Sequence, residues 1–580
     1  WSIQGSAFRI SHSLSVHIIN PTSPNALYEV VKKLNEDSNL DFIYSDEDKI
    51  DDDGFNRHMP HFKPDWSPDT LMSHMYTCHF GVYRRSIANE IGGLRAGYEG
   101  AQDYDFTLRF TEKTNNIAHI DKILYHWRER KESTALDPSA KPYIFEAAKK
   151  SKEDALERRG LKANLEMVDI MYQYRVNYIS QTNPLVSVII PSKDNYKVLK
   201  RCIETLYEIT RYRNFEVILV DNGSNDENKK LYQGLSDKYK FKYVYEKMDF
   251  NFSRMCNIGA REAKGEYYLF LNDDIEIINE EWLERMVGHA ELEHVGAVGA
   301  KLLYPNSKLI QHIGVINIAN GPVHAFAGLS DDNIYYFGRN KIDYNWLTVT
   351  AACLLVKASK FERVNGFNEE MPVTYNDVEF CFKLVEAGYY NVVRNDAILY
   401  HHESVSRGDD LLSKEKFNRL MSEQNHMYEL HPEFKDKDPF YNSNLAQHAA
   451  DFSYNMFKES KGKCTVSENI ENFEICKKVI NAIDRVYVGD KCVIEGWAFF
   501  NEKPYNGEIK IWLRSSEKSY IITTKRVYRS DLAIHFKRKV GADMSGFICE
   551  FDGVDAGKYD IYVCCKNKAT RTKQHIVINK

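Results

Sequence analysis

Residues 267–278 read YYLFLNDDIEII, an apolar run cut by Asn272, Asp273 and Asp274 before apolar residues resume. A short unbroken apolar run rich in Tyr, Leu and Phe reads as a strand buried on both faces. Two adjacent carboxylates at its end read either as a solvated turn or as the ligand-bearing rim of a sheet. The flanking sequence bears on that choice. VSVIIP, FEVILVDNGS and FKYVYEK have strand composition, and they alternate with NYKVLKRCIETLYEIT, ENKKLYQGLSDKYK and NFSRMCNIGAREAKG, which have helical patterns. This alternation from Leu185 to Tyr304 predicts an α/β domain with a mostly parallel sheet covered by helices on both faces. Ligands bind such sheets outside the carboxyl ends of the strands, so Pro191–Asp194, Asp221–Ser224 and Asn272–Asp274 are expected on one rim.

An internal repeat extends the reading upstream. IGGLRAGYEGAQDYDFTLRFTEKTNNIAHIDKILYHW (91–127) matches VNGFNEEMPVTYNDVEFCFKLVEAGYYNVVRNDAILYHH (364–402) in pattern, with Asp103 23 residues before His126 and Asp377 24 before His401. The chain therefore holds two copies of one module's second half, and only the later copy has its first half in view. No Asp or Glu occurs from Trp1 to Tyr28 that could replace Asp273 and Asp274. Asp46-Glu47-Asp48 has the spacing of a metal motif but falls opposite AKLLYP in the repeat, not opposite LNDD. The expected organisation is a partial module over 1–135, a helical connector over 136–183 and a complete α/β domain over 184–430. A second connector covers 431–483, and short alternating runs over 484–580 predict a small β-sandwich.

Composition narrows the function classes. A formal net charge of −6 over 580 residues leaves no basic footprint for nucleic acid. The longest apolar run, LTVTAACLLV, is half the length of a membrane span, so a cytoplasmic protein is expected. KRKV and KNKATRTK near the C-terminus offer either contact with anionic lipid at the inner membrane face or a solvated sandwich edge. Eleven scattered cysteines without CxxC pairs read as reduced thiols rather than a zinc site.

Three elements carry chemistry. Asp273 and Asp274 at a strand end suit a hard divalent cation, Mg²⁺ or Mn²⁺. Asn376-Asp377-Val378-Glu379 reads as a capping box opening a helix that stops at Gly388. Asp377 then lies in the first turn, free to act as a general base where the helix dipole favours a carboxylate. His401 closes the apolar run AILY, where an imidazole can bind a metal or donate to a diphosphate, and His126 repeats it.

VSVIIPSKD, EVILVDNGS, NFSRMCNIGAREAKGEYYLFLNDD, VGAVGAKLLYPN, QHIGV, VTAACLLV, YNDVEFCFKLVEAGY, LYHHESVSRG and DPFYNSNL together resemble the inverting family 2 glycosyltransferases of bacterial surface-polysaccharide synthesis, over about 184–445. YSDEDK, PHFKPDWSPD, GAQDYDFTLR and ILYHWR resemble the second half of a companion module of such tandem enzymes, and GWAFF with RSDLAIHF resembles an accessory β-sandwich. The resemblance implies the GT-A nucleotide-sugar fold, and it implies donor binding by Pro191, Asp194, Asp221, Asn222 and Asp273. It further implies a metal held by Asp274 and His401, with the adjacent His402 leaving the register open, and Asp377 as catalytic base. Asp103 and His126 are the equivalents in the first module, which is expected to be inactive and to serve docking or acceptor positioning.

The implied reaction moves a sugar, with rhamnose a specific guess, from a UDP- or dTDP-sugar to a glycan or lipid-linked glycan acceptor with inversion. Displacing a nucleoside diphosphate requires neutralisation of the departing charge, and the incoming hydroxyl must lose a proton. A carboxylate pair and a separate carboxylate meet those two needs. The rival from another class is an inactive glycan-binding or scaffold protein, against which the full set in one module argues. A nucleotidyltransferase would want a Gly-rich phosphate loop that PSKDNYK lacks.

Overall fold

The computed structural model describes residues 2–4, 22–52, 57–129, 143–168, 170, 173–319, 321–402, 414–447 and 449–454. In the C-terminal part it describes 464–468, 473–489, 491–500, 503–504, 508–527, 532 and 545–578. The ESVSRG end of one motif above, KRKV, and all of RSDLAIHF but Leu532 lie outside these residues. The chain divides into two compact units, Trp1–Ser453 and Tyr454–Lys580.

The first unit holds two sheets. The smaller is built from β1 (Ser2–Gln4), β2 (Phe42–Ile50), β3 (Arg57–His61), β4 (Gly81–Tyr83) and β5 (Ile117–Arg128). Among its described residues, the segment expected as a helical connector is helical over Tyr143–Arg158. From there a hairpin of β6 (Ala163–Val168) and β7 (Gln173–Tyr178) takes over, because its β-branched and aromatic residues alternate with polar ones.

The larger sheet contains β8 (Val186–Ser192), β9 (Phe215–Asp221), β10 (Lys242–Tyr245), β11 (Tyr267–Leu271), β12 (Ile275–Ile277), β13 (Val295–Leu303) and β14 (Ile310–His312). A separate hairpin pairs β15 (Val315–Ile318) with β16 (Gly321–His324). The chain then returns to the sheet as β17 (Tyr344–Trp346), β18 (Cys353–Lys357) and β19 (Tyr390–His401). The strand order is β10-β9-β8-β11-β18-β13-β19-β12, with β14 on β13 and β17 on β19. The first four strands are parallel, as expected. β18, from the VTAACLLV run, is antiparallel to both neighbours and makes the sheet mixed. The central strands β8, β11 and β18, and β9 from Val217 to Val220, are buried on both faces and largely apolar because helices cover both sides.

The repeat is a repeat of topology. β4 is antiparallel to β2 as β18 is to β13, β5 is parallel to β2 as β19 is to β13, and β1 lies on β4 as β11 lies on β18. The residues following β1, opposite Asn272–Asp274, are outside the described set. The two sheets are joined by a buried polar junction. Asp69 accepts from His289 at 2.7 Å and from the Asn345 amide at 2.7 Å, with His294 at 3.1 Å. Asn442, from the DPFYNSNL motif, donates to both oxygens of Asp46 and to the Lys63 carbonyl, so it belongs to this junction.

The second unit is a two-sheet β sandwich. Strands including Ile509–Arg514, Ser519–Thr523 and Gly557–Cys565 form one sheet, and Val479–Val488, Cys492–Phe500 and Gly546–Phe551 belong to the other. Ile494, Ile511, Leu513, Phe547 and Ile561 share its core. Among the described residues no helix is long and apolar enough to cross a membrane.

Candidate active site

The turn Asn272–Asp274 hands the chain from the central strand β11 to the short strand β12, and β12 pairs antiparallel with the end of β19 in the register Ile275 to His401. That register is why the carboxylates and the histidine meet. The His402 amide donates to the Asp274 carbonyl at 3.0 Å, and Asp274 Oδ1 lies 3.0 Å from His401 Nε2. The other ring nitrogen, Nδ1, is 2.8 Å from Gln311 Oε1 on β14. With that proton donated to Gln311 and the ring neutral, Nε2 presents a lone pair to a buried carboxylate oxygen that receives no hydrogen bond among the described residues. The contact is an ion pair when the imidazole is protonated and offers two lone pairs to a cation when it is neutral, and the residue types are those of a hard divalent ion with one imidazole ligand. The donor set thus fits Mg²⁺ or Mn²⁺. His402 instead turns to Glu276 at 2.8 Å, away from Asp274.

Asp273 points the other way. Its Oδ2 accepts from Ser192 Oγ at 2.6 Å and from Asn195 Nδ2 at 3.3 Å, so it closes the gap between the ends of β11 and β8. Burial pushes its carboxyl up to about 7, and the charge of Asp274 adds to the effect.

The ends of β8 and β9 complete one wall. Asp221 is fully buried, its Oδ1 accepting from the Ser224 amide and its Oδ2 from the Tyr243 hydroxyl at 2.6 Å. Asn222 donates its backbone N–H to the Ser192 carbonyl, but neither polar atom of its buried side-chain amide has a partner among the described residues. Asp194, with φ of +50°, accepts from the Asn225 amide and Asn228 Nδ2. Pro191 sits in β8 beside Val220 of β9.

Asp377 lies across the rim in a cleft of about 330 Å³, which Asn272, His324, Thr350, Ala351 and Thr374 also line. The capping box expected for its helix does not form. The helix spans Asn376–Glu386, and Tyr375 precedes it in the left-handed region at φ of +53° with no side-chain cap. Asn376 is the first helical residue, and Glu379 is buried and paired with Lys383 at 3.1 Å, because residue 375 already sets the entry angle. Asp377 is nonetheless in the first turn, its plane fixed by the Ala351 amide at Oδ2 and the Val378 amide at Oδ1, 3.0 and 2.9 Å away. Below the cleft His312 and His324 face each other through their Nδ1 atoms at 3.0 Å, and burial holds the His312 imidazole well below its ordinary range.

The first sheet brings Asp103 and His126 to equivalent places but with different partners. His126 Nδ1 lies 2.5 Å from Asp48 Oδ1, Arg57 takes the other Asp48 oxygen, and Glu47 accepts from the His79 amide. Asp46 is engaged by His119, the Lys63 amide and Asn442. The Asp46-Glu47-Asp48 run is therefore taken up by donors of the chain itself. Burial raises the Asp103 carboxyl above its usual range.

Sequence reasoning overlooked Gln311, Ser192, Asn195 and Tyr243 as partners of the site. Gln311 and Ser192 lie inside motifs quoted above, QHIGV and VSVIIPSKD, so a signal for them was present in the sequence. Tyr243, on a strand that reads as ordinary, gave none.

Residues 187–364 match the model of a family described as "Glycosyl transferase family 2". Among curated proteins, the chain is 39% identical over 437 residues to the uncharacterized protein y4gI of Sinorhizobium fredii, covering 74% of this chain and 48% of that protein. It is 37% identical over 432 residues to the O-antigen biosynthesis protein RfbC of Myxococcus xanthus, covering 74% of this chain and 33% of that one. The chain thus spans a third to about half the length of these relatives. Among solved structures, the mannosyltransferase PcManGT of Pyrobaculum calidifontis in complex with GDP-Man and Mn²⁺ aligns at 15% identity and a TM-score of 0.32, over 47% of this chain and 75% of that one.

Proposed function

We propose, from the match of residues 187–364 to the model of glycosyl transferase family 2, that the chain transfers a sugar from a UDP- or dTDP-sugar to a hydroxyl of a growing bacterial surface polysaccharide, with inversion at the anomeric carbon. Rhamnose is the sugar to test first, and a place at the cytoplasmic face of the membrane goes with a lipid-linked acceptor. The observation that carries the reading is the meeting of Asp274 and His401 at one side of a rim whose other side presents Asp377 in an open cleft.

In this reading Asp194, Asp221 and the unpartnered amide of Asn222 hold the nucleoside, the buried Asn222 being an orphan that a base edge would satisfy. Pro191 shapes the same wall, and Asp273 braces the rim against β8 through Ser192. Asp274 and His401 would hold Mg²⁺ or Mn²⁺, which when bound neutralises the charge of the diphosphate. Asp377, its plane fixed by two backbone N–H groups, takes the proton of the acceptor hydroxyl as that oxygen forms its bond to the anomeric carbon. A single displacement inverts the centre.

The test is donor binding and hydrolysis with a panel of UDP- and dTDP-sugars, with and without Mn²⁺ or Mg²⁺, on the intact chain, Asp274→Ala and Asp377→Asn. Metal-dependent binding is expected to vanish in Asp274→Ala. In Asp377→Asn, binding is expected to persist while donor turnover falls by about 10²–10⁴-fold. Failure of every donor to bind would remove the transferase reading and leave a glycan-binding scaffold.

A further inference from the structure

We infer that His324 donates a hydrogen bond through Nε2 to the sugar that presents its hydroxyl to Asp377, and that His312 holds His324 in the tautomer this requires. The role presupposes the transferase reading above and adds a residue that recognises the acceptor.

Topology brings these residues together. His312 ends β14, and His324 ends β16, where it pairs with Val315 of β15. The turn before β18 then ties the histidines to the base. Its Thr350 amide donates to His312 Nε2 at 3.4 Å, and the next amide, that of Ala351, donates to Asp377 Oδ2 at 3.0 Å. Consecutive Cα atoms stand about 3.8 Å apart, so two adjacent amides fix the spacing between the imidazole pair and the carboxylate.

The same contacts set the proton positions. His312 is fully buried, and burial holds its imidazole well below the ordinary range, so the ring is neutral and carries one proton. Its Nε2 accepts from the Thr350 amide, which leaves that proton on Nδ1. The Nδ1–H faces His324 Nδ1 at 3.0 Å, and His324 must accept there. Protonating His324 would set two N–H groups against each other, so the pair also keeps His324 neutral. A neutral His324 that accepts at Nδ1 carries its own proton on Nε2, and this exposed ring lines the Asp377 cleft. A backbone N–H thus specifies, through two imidazoles, a donor at the cleft.

The lining selects what that donor meets. Among the described residues of the cleft, Asp377 and His324 are the only side chains bearing a carboxylate or an imidazole, and Phe250 and Phe252 add apolar faces. A carboxylate acceptor, a neutral donor and aromatic surface within about 330 Å³ match a sugar ring, which offers hydroxyls to the first two and C–H groups to the third. Donation to the hydroxyl that Asp377 deprotonates would draw electron density from the attacking oxygen, so a neighbouring hydroxyl is the partner.

The test is nitrogen NMR of the full chain carrying isotope-labelled histidine at pH 8. Methyl α-glycosides of rhamnose, mannose and glucose are the probes, and donor turnover is assayed in parallel. The signals lost in His324→Gln assign the ring. His324 is expected to carry its proton on Nε2, and at least one glycoside should shift that N–H. In transfer to that glycoside, His324→Leu is expected to raise the half-saturating concentration about tenfold with a smaller change in maximal rate, the size of one lost hydrogen bond. His324→Gln, of similar volume but with an N–H donor near the place of Nε2, should recover most of that loss, which a purely structural role would not produce. A proton on Nδ1, a ring that no glycoside perturbs, or one that only the nucleotide sugar perturbs overturns the inference, as does equal half-saturation in His324→Leu and the unaltered chain. Donor turnover with an unperturbed ring defeats the role of His324 alone, whereas a ring perturbed by a glycoside without turnover of any donor defeats the transferase reading alone.

Discussion

Asp273 retains its proton to about pH 7 in the folded chain and would release it near pH 4 when unfolded. Between those values the native state binds the extra proton, so stability is full below about pH 4 and falls as pH rises towards 7, by up to about 4 kcal/mol. Asp273→Asn removes the ionisation and keeps an oxygen to accept from Ser192, so its melting temperature is expected to fall less between pH 5 and 8 than that of the unaltered chain. Asp438, also buried and pushed up to about 7, leaves a residual slope in both. Calorimetry across that range checks it. Gln311 makes a separate prediction. Its contact with His401 Nδ1 sets the ring's orientation, so Gln311→Leu should weaken Mn²⁺ stabilisation at pH 8 by about 10–100-fold in apparent affinity. Thermal shift against Mn²⁺ concentration, with Asp274→Ala as the blank, reads the effect.

At the scale of elements, the rim stands on close contact between strands and helices. In the helix Phe252–Glu262, a Cβ at Gly259 would lie 2.3 Å from Ile189 Cγ2 of β8, the strand that delivers Ser192 and Pro191. Gly259→Ala is expected to cost about 1–3 kcal/mol in chemical denaturation and to weaken donor binding, since β8 must shift to make room. The same scale explains what the sequence could tell. The strands β8, β9 and β11 and the helices between them are legible from periodicity because burial on both faces forces continuous apolar runs, and the strand-end rule follows from them. The antiparallel β18 is not legible, since an apolar run carries no direction. The Asn376 helix is legible but its cap is not. Local residue types favour a capping box, whereas the left-handed Tyr375 before it is set by tertiary context. The meeting of Asp274 with His401 is half legible. The repeat fixes the spacing of Asp377 and His401, but only the pairing of β12 with β19 brings residue 401 to residue 274.

At the scale of the whole molecule, one topology occurs twice, and the carboxylates described in the two copies are engaged differently. In the second copy Asp274 Oδ1 is left without a donor, and Asp377 faces an open cleft. In the first, Asp48 is held by His126 and Arg57, Glu47 by a backbone amide, and Asp46 by the junction between the sheets. Carboxylates so engaged would have to give up an internal partner to accept a cation, at the cost of leaving a buried donor unpaired. The junction itself is expected to matter for stability, because Asp69→Ala strands the buried His289 and Asn345 without their shared acceptor and removes the partner of the more exposed His294. A loss of about 3–5 kcal/mol in chemical denaturation is the expected outcome. Catalysis should divide differently. Asp103→Asn, which removes a carboxylate that burial already disfavours as an ion, is expected to leave transfer near the intact rate, and Asp274→Ala to abolish it. Assaying both variants with the same donor and acceptor decides between one working site and two. Transfer that survives Asp274→Ala but is lost in Asp103→Asn would move the chemistry to the first module.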